Sequence, residues 1–327
     1  QGATLAAVRV GVLLSLVLSL SVRQDLGFWT LAAVYFPSTL PFFLAGTTVS
    51  LAIAEGIERV DRVYFYDLMG AGAGCLLLVP LLNTFGGPNT VLATAAFYAA
   101  AAAIWYSLAG KVTGRVLSVG LALGLLMLLG YNARFRIIDV KYAKGQALAG
   151  EEFVKWNSFS RIAVAPDRSS GAPTVFIDAD ASTAIASFDL RYMRDQDREA
   201  LLRPGAGFPY VLRPGAKTLI IGPGGGYDVA RALASGSRDV TGVEINPIIA
   251  RTVMQERFPQ YSRNLYARPE VRIEVEDGRS FLRRSKEKYQ VIQATLVDTW
   301  ASTAAGAYAL SENNLYTSDA FLDYLRH

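Results

Sequence analysis

The sequence predicts a multi-span α-helical membrane domain, then a small antiparallel β meander, then an α/β doubly wound domain truncated at its C-terminal end. Three observations predict it. Charged residues are sparse from Gln1 to Tyr131 and frequent from Asn132 onward. The sparse stretch holds apolar runs long enough to cross a bilayer, about 20 residues each. From Lys217 onward, short apolar strands alternate with helical segments around a glycine-rich turn. The expected organisation is a transmembrane domain over 1–131, a linker over 132–150, a meander over 151–190, a linker loop over 191–216 and the α/β domain over 217–327.

Composition points the same way. Of 327 residues, 52% are apolar and 18% charged, and mean hydropathy is +0.27. Soluble domains sit nearer about 25% charged, so part of this chain has an apolar solvent. Five spans are expected, at 4–22, 28–54, 63–85, 89–109 and 114–131. Hydrocarbon offers the backbone no hydrogen bonds, so all five are read as helices. Pro37 and Pro41 are expected to kink the second. The first is no secretory signal, because no small-residue cleavage site follows it and further spans do.

The third span carries Asp67, then Gly70 and Gly74, a small-xxx-small face that admits another helix closely. Asp67 reads either as an intramembrane ion or substrate site or as an interfacial residue capping a neighbouring helix. Basic residues nearly balance across the expected membrane, with Arg59, Arg62, Lys111 and Arg115 opposite the soluble domain, so charge alone does not orient the chain.

Several classes of function are excluded. The net charge of +4 includes no basic stripe with interleaved aromatics, so no nucleic-acid partner is expected. Cys75 is the only cysteine and His327 the only histidine. No internal disulfide, thiolate cluster, histidine-ligated metal or histidine-based catalysis fits, and no metal is expected.

The meander is expected from Ser160–Val164, Thr174–Asp178 and Thr183–Ala186. A buried strand over Lys217–Ile221 leads into Gly222–Pro223–Gly224–Gly225–Gly226, and Asp228 opens the helix that follows. The next strand, Asp239–Val243, ends in Glu244. Glycines let backbone N–H groups approach a ligand, and an acid at the next strand end accepts hydrogen bonds from ribose hydroxyls. The combination points to a nucleoside cofactor. It is not the dinucleotide fingerprint, because the sixth position from Gly222 is Tyr227. A third strand, Val271–Val275, ends in Glu276–Asp277–Gly278, and a fourth, Tyr289–Thr295, leads to Asp298.

Taken together, residues 151–327 resemble the spermidine synthase family, and more closely its membrane-fused branch. The resemblance implies S-adenosylmethionine or decarboxylated S-adenosylmethionine as cofactor. It implies that Gly222, Gly224, Gly225 and Gly226 face the methionine-derived arm, that Glu244 holds the ribose, and that Asp277, with Glu276 and Gly278, lies at the adenine. Asp298 would be catalytic, where acceptor meets donor. Three positions depart from the family pattern. Gly225 stands where an acid grips the donor amine, Thr295 where a first aspartate is expected, and Ser160 where the meander carries glutamine. Asp228 is placed to compensate for Gly225. The chain ends after a helix over Thr317–Arg326, where the family pattern continues into further strands, so a fragment of a longer protein is expected.

The leading expectation is a membrane-anchored transferase that alkylates an amine-like acceptor. A methyltransferase acting on a lipid or membrane substrate is the second, and a non-catalytic accessory subunit of a membrane complex the third. Expected partners are a small-molecule amine or membrane-proximal substrate and membrane lipid. The soluble domain is expected in the cytoplasm, where the implied cofactor is made.

Overall fold

The structure, a computed structural model, describes residues 28–140, 142–143, 146–147, 150–167, 169–178, 181–203, 205–297 and 315–327. The expected first span, 4–22, and Asp298 lie outside them. Two compact units are present, one of Gln1–Ala149 with Trp156–Ser160, the other of Gly150–Lys155 with Arg161–His327.

The first unit is helical. Helix α1 spans Phe28–Glu55 and contains Pro37 and Pro41. Helical assignment is continuous over α2, Val60–Leu108, but Gly86 breaks it with φ +75° and ψ 174°. Only glycine adopts such a backbone without strain, so α2 is two helices meeting at Gly86, one over most of 63–85 and one over most of 89–109, the ranges read as helical from the sequence. The indole of Trp156 lies against both Gly86 and Gly87, where an added Cβ would come within 2.9 Å of it. Helix α3, Val112–Phe135, returns antiparallel to the second half of α2. Leu92, Ala93, Ala96 and Ala99 pack against Leu125 and Leu129. Small residues let the two backbones approach closely. Asn132 Nδ2 donates to Asn89 Oδ1 at 2.7 Å and to the Ile138 carbonyl at 3.0 Å, so the buried amides are bonded at the end of the hairpin. Three helical segments, Tyr35–Glu55, Ile57–Leu108 and Val112–Phe135, are long and apolar enough to cross a membrane.

The second unit begins after two-residue strands β1 (Tyr142–Ala143) and β2 (Gln146–Ala147). Its meander is a four-stranded antiparallel sheet in the order β3 (Phe153–Trp156), β4 (Arg161–Pro166), β5 (Pro173–Ile177), β6 (Ala181–Ala184). Strand β3 adds to the three strands expected, and β6 lies two residues earlier than Thr183–Ala186. Ile162, Val164 and Val175 are fully buried and join the core of the α/β sheet. Each contributes about 1.5–3 kcal/mol of apolar burial.

The expected linker loop, 191–216, instead holds two helices, α4 (Asp195–Leu202) and α5 (Phe208–Leu212). Only Leu201 of α4 is buried, so no apolar stripe announced it. Exposed ion pairs, Arg194–Asp197 at 2.7 Å and Arg203–Glu199 at 2.7 Å, line its surface.

A parallel sheet follows in the order β10-β7-β8-β9. Strand β7 is Thr218–Ile221, β8 Val240–Val243, β9 Val271–Glu274 and β10 Val291–Ala294. All four residues of β7 are buried, as are those of β8, the pattern of strands covered on both faces. Helix α6 (Tyr227–Ala234), a π helix (Ile248–Arg257) and α7 (Gly278–Arg284) connect the strands, and α8 (Ser318–Arg326) packs beside α7. Thr317 caps α8 by accepting the Ala320 N–H at 3.2 Å.

Candidate functional site

The chain leaves β7 for β8 and β9 on one side and returns to β10 on the other. Strand order therefore reverses beside β7, and the carboxyl ends of these strands form the crevice where open α/β sheets bind ligands. Four of the sequence-identified segments arrive there together: the glycine loop after β7, Glu244 after β8, Glu276–Asp277 after β9 and Thr295–Val297 after β10. Val297 closes against Gly222, whose φ is +68°. Leu296 holds a left-handed φ of +51° with its side chain 87% exposed. A non-glycine residue there is strained, and such strain gathers at sites.

Glu244 is 5% exposed. Its Oε1 accepts the Asn246 N–H at 3.0 Å and its Oε2 the Gly224 N–H at 3.2 Å. Burial pushes its carboxyl pKa upward, and the backbone N–H groups of Asn246, Gly224 and Ile245 oppose that shift. Glu244 thus ties the end of β8 to the glycine loop.

Each N–H of the loop is bonded within the protein. The Gly222 N–H donates to the Val243 carbonyl at 2.8 Å, and the Gly226 N–H to the Pro223 carbonyl at 2.8 Å. The Gly225 N–H points to Thr183 Oγ1 at 3.4 Å, and its carbonyl accepts the Ala186 N–H at 2.8 Å. Tyr266, 3% exposed, donates its hydroxyl to the Gly224 carbonyl at 2.7 Å. Burial first, then the charge of Glu244, raises the Tyr266 pKa far above its ordinary value, so it stays a donor.

Position 225 has no room for a side chain. A Cβ there would fall inside van der Waals contact of the Ala184 carbonyl oxygen. The absence of an acid at this position is therefore a packing requirement of this chain. Gly226, φ +91°, likewise sits against Leu265 and opens α6.

The other acidic positions already have partners. Asp228, 7% exposed, bonds Arg231 Nη1 at 2.6 Å and so does not turn toward position 225 as a free carboxylate. Glu276 pairs with Arg284 through two bonds of 2.7 and 2.6 Å. Asp277 caps α7, accepting the Ser280 N–H at 2.8 Å. Gly278 lets α7 meet β7 closely, because a Cβ there would lie 2.5 Å from Ile221 Cγ2.

A cleft of about 440 Å³ opens beside α6, lined by Phe188, Tyr192, Met193, Leu201, Tyr227 and Arg231 among others. Phe188 and Tyr227 meet edge to face at 5.4 Å, and Arg231 lies over the Tyr227 ring at 5.8 Å. Its carboxylates are paired: Asp189 with Arg263 at 3.2 Å and Asp197 with Arg194 at 2.7 Å. Sequence reasoning missed this cleft, because its walls come from three separate segments: the last residues of the expected meander, the presumed linker and α6. The position of Tyr227, directly after the glycines, was the one available signal. Among the described residues no cluster of metal-ligating side chains is present.

No family model and no curated protein matches this chain. Among solved structures it is similar to a spermidine synthase in complex with the transition-state analogue AdoDATO, with TM-score 0.37 and 17% identity, covering 55% of this chain and 53% of that one. It is similar also to spermidine synthase from Thermotoga maritima, with TM-score 0.38 and 17% identity, covering 54% of this chain and 53% of that one. The chain thus spans about half the length of the solved structures it matches.

Proposed function

We propose that the α/β unit binds an S-adenosyl nucleoside, S-adenosylmethionine or its decarboxylated form, in a membrane-anchored transferase that alkylates an amine-like acceptor. The observation that carries this is Glu244: a buried carboxylate at the end of β8, bonded to the glycine loop of β7, at the point where strand order reverses. An acid so placed accepts hydrogen bonds from both ribose hydroxyls. Asp277 at the end of β9 would lie at the adenine. The bound donor would supply an alkyl group on a sulfonium, which leaves as a neutral thioether when the acceptor nitrogen forms its new bond to carbon.

The chain's own part is alignment and removal of one proton from the acceptor amine. Asp298, four residues after β10, is the proposed base. The apolar helices are proposed as the anchor, with the α/β unit on the cytoplasmic side. The test is calorimetry of the full chain in detergent with each donor. Glu244→Ala removes charge-assisted bonds worth about 1.5–3 kcal/mol each, so affinity should fall at least about tenfold. An unchanged dissociation constant would place the nucleoside elsewhere. Preference for intact S-adenosylmethionine together with methyl transfer would favour the methyltransferase.

A specific observation favours the non-catalytic reading as runner-up: each N–H of the glycine loop is already bonded within the protein. Absence of binding by both donors would leave that reading standing.

A further inference from the structure

The turn between β3 and β4, Trp156–Ser160, belongs to the helical unit. Asn157 fixes its shape: the side-chain Oδ1 accepts the Phe159 N–H at 3.0 Å and the Ser160 N–H at 2.9 Å, the local bonding that asparagine brings to turns. The turn is seated on the break in α2. The Trp156 indole lies on Gly86 and Gly87, and the Ser158 N–H donates to Asn83 Oδ1 at 2.8 Å. Phe159 is left at the tip, 59% exposed. The end of α3 lies at the same level, because Asn132 in its last turn bonds Asn89, just past the break. There the exposed rings of Tyr131 and Phe135 meet at 4.5 Å, with the Arg134 guanidinium 5.5 Å from the centre of the Phe135 ring. Phe85, beside Gly86, is exposed as well.

We infer that this end of the α2–α3 hairpin, together with the β3–β4 tip, forms an aromatic girdle at the boundary between lipid headgroups and acyl chains, with Phe159 immersed there. The inference rests on the proposed anchor. With each half of α2 crossing the bilayer once, the break falls at a membrane face, and the turn seated on it falls at the same face. A lone exposed ring needs no explanation; several rings at one level beside arginines have the composition that membrane interfaces select. Arg134 and Arg136 are both exposed. Their stems lie along apolar surface while their guanidinium groups reach lipid phosphates. Further along α3 the exposed side chains are Met127, Leu126 and Leu123, so the girdle stands at the edge of the surface proposed to meet acyl chains. The β3–β4 turn thereby gains a partner, the lipid boundary itself, in addition to the helix break it rests on.

The experiment uses the full chain in vesicles of phosphatidylcholine and phosphatidylglycerol. Nitroxide labels are placed singly, in a Cys75→Ala background, at Phe159→Cys, at Leu123→Cys on the exposed face of α3 and at Ser169→Cys in the turn between β4 and β5. Collisions with oxygen, which concentrates in hydrocarbon, are compared with collisions with a nickel chelate, which stays in water. The oxygen-to-nickel ratio should be lowest at 169, highest at 123 and intermediate at 159. Phe135→Cys, on the other side of the girdle, should read the same depth as 159. Ser158→Cys keeps Phe159 and the backbone bond to Asn83, and carries the same expectation where Phe159→Cys does not fold. A ratio at the tip equal to that at 169, with 123 in hydrocarbon, puts the tip in water: the girdle falls and the anchor stands. A tip label sheltered from both reagents shows a protein partner in place of lipid, and one as deep as 123 removes it from the boundary; either result overturns the inference. A label at 123 that reads as water overturns the anchor, and the girdle falls with it.

Discussion

Glu244 meets two demands that conflict energetically. As a carboxylate it accepts N–H groups from two segments, but at 5% exposure its charge is desolvated. Burial wins, so its folded-state pKa lies above the ordinary 4.5. A carboxyl raised on folding contributes stability that is present at low pH and is lost as pH rises through the folded value. Wild-type thermal stability should therefore fall relative to Glu244→Gln as pH increases upward from about 4.5, where the unfolded group titrates. Parallel melting curves of the two proteins across that range would contradict the assignment. Gly278 poses a steric case. Gly278→Ala would push a methyl against Ile221 of the central strand, a small-to-large change that costs about 1–3 kcal/mol. Denaturant unfolding followed on the α/β unit measures it. The glycines and the acid were legible as residue types at strand ends. Their partners were not: Thr183 and Tyr266 each stand 42 residues from the loop position they bond, and only tertiary packing brings them there.

At the scale of elements, legibility tracks how strongly one face is buried. Strands β7 and β8 read as continuous apolar runs because both of their faces are covered. Helix α4 and strand β3 escaped because each buries a single residue, Leu201 and Phe153. The start of α7 shows how a legible residue can serve two ends. Asp277 caps the helix through the Ser280 N–H and is also the proposed adenine contact. Serine caps as well as aspartate but is shorter and neutral. Asp277→Ser should therefore keep the unfolding free energy within about 0.5 kcal/mol, whereas Asp277→Ala costs about 1 kcal/mol. Both should weaken donor binding if the carboxylate reaches the adenine. Full donor affinity in Asp277→Ser would reduce Asp277 to a cap.

For the molecule as a whole, the helical unit poses the question of solvent. As one rod, the 49 residues of α2 would extend about 74 Å at 1.5 Å per residue, more than twice the roughly 30 Å of a bilayer core. The break at Gly86 divides this length into two pieces of spanning size. The piece before the break has no buried residue, and Leu76 is 79% exposed. Such a surface marks a protein or membrane contact, and the proposed anchor sets it in lipid. The full chain should therefore remain in the membrane pellet through alkaline carbonate and require detergent for release. The proposed anchor, with each half of α2 crossing once, also puts the break and the α2–α3 turn on opposite faces. In a Cys75→Ala background, Thr84→Cys and Lys111→Cys, both exposed positions, should react with an impermeant maleimide from opposite sides. Reaction of both from one side would make the pair a re-entrant hairpin. Ser169→Cys, in the turn between β4 and β5, then orients the α/β unit: labelling from outside intact cells would reverse the cytoplasmic assignment and remove the donor from its compartment of synthesis.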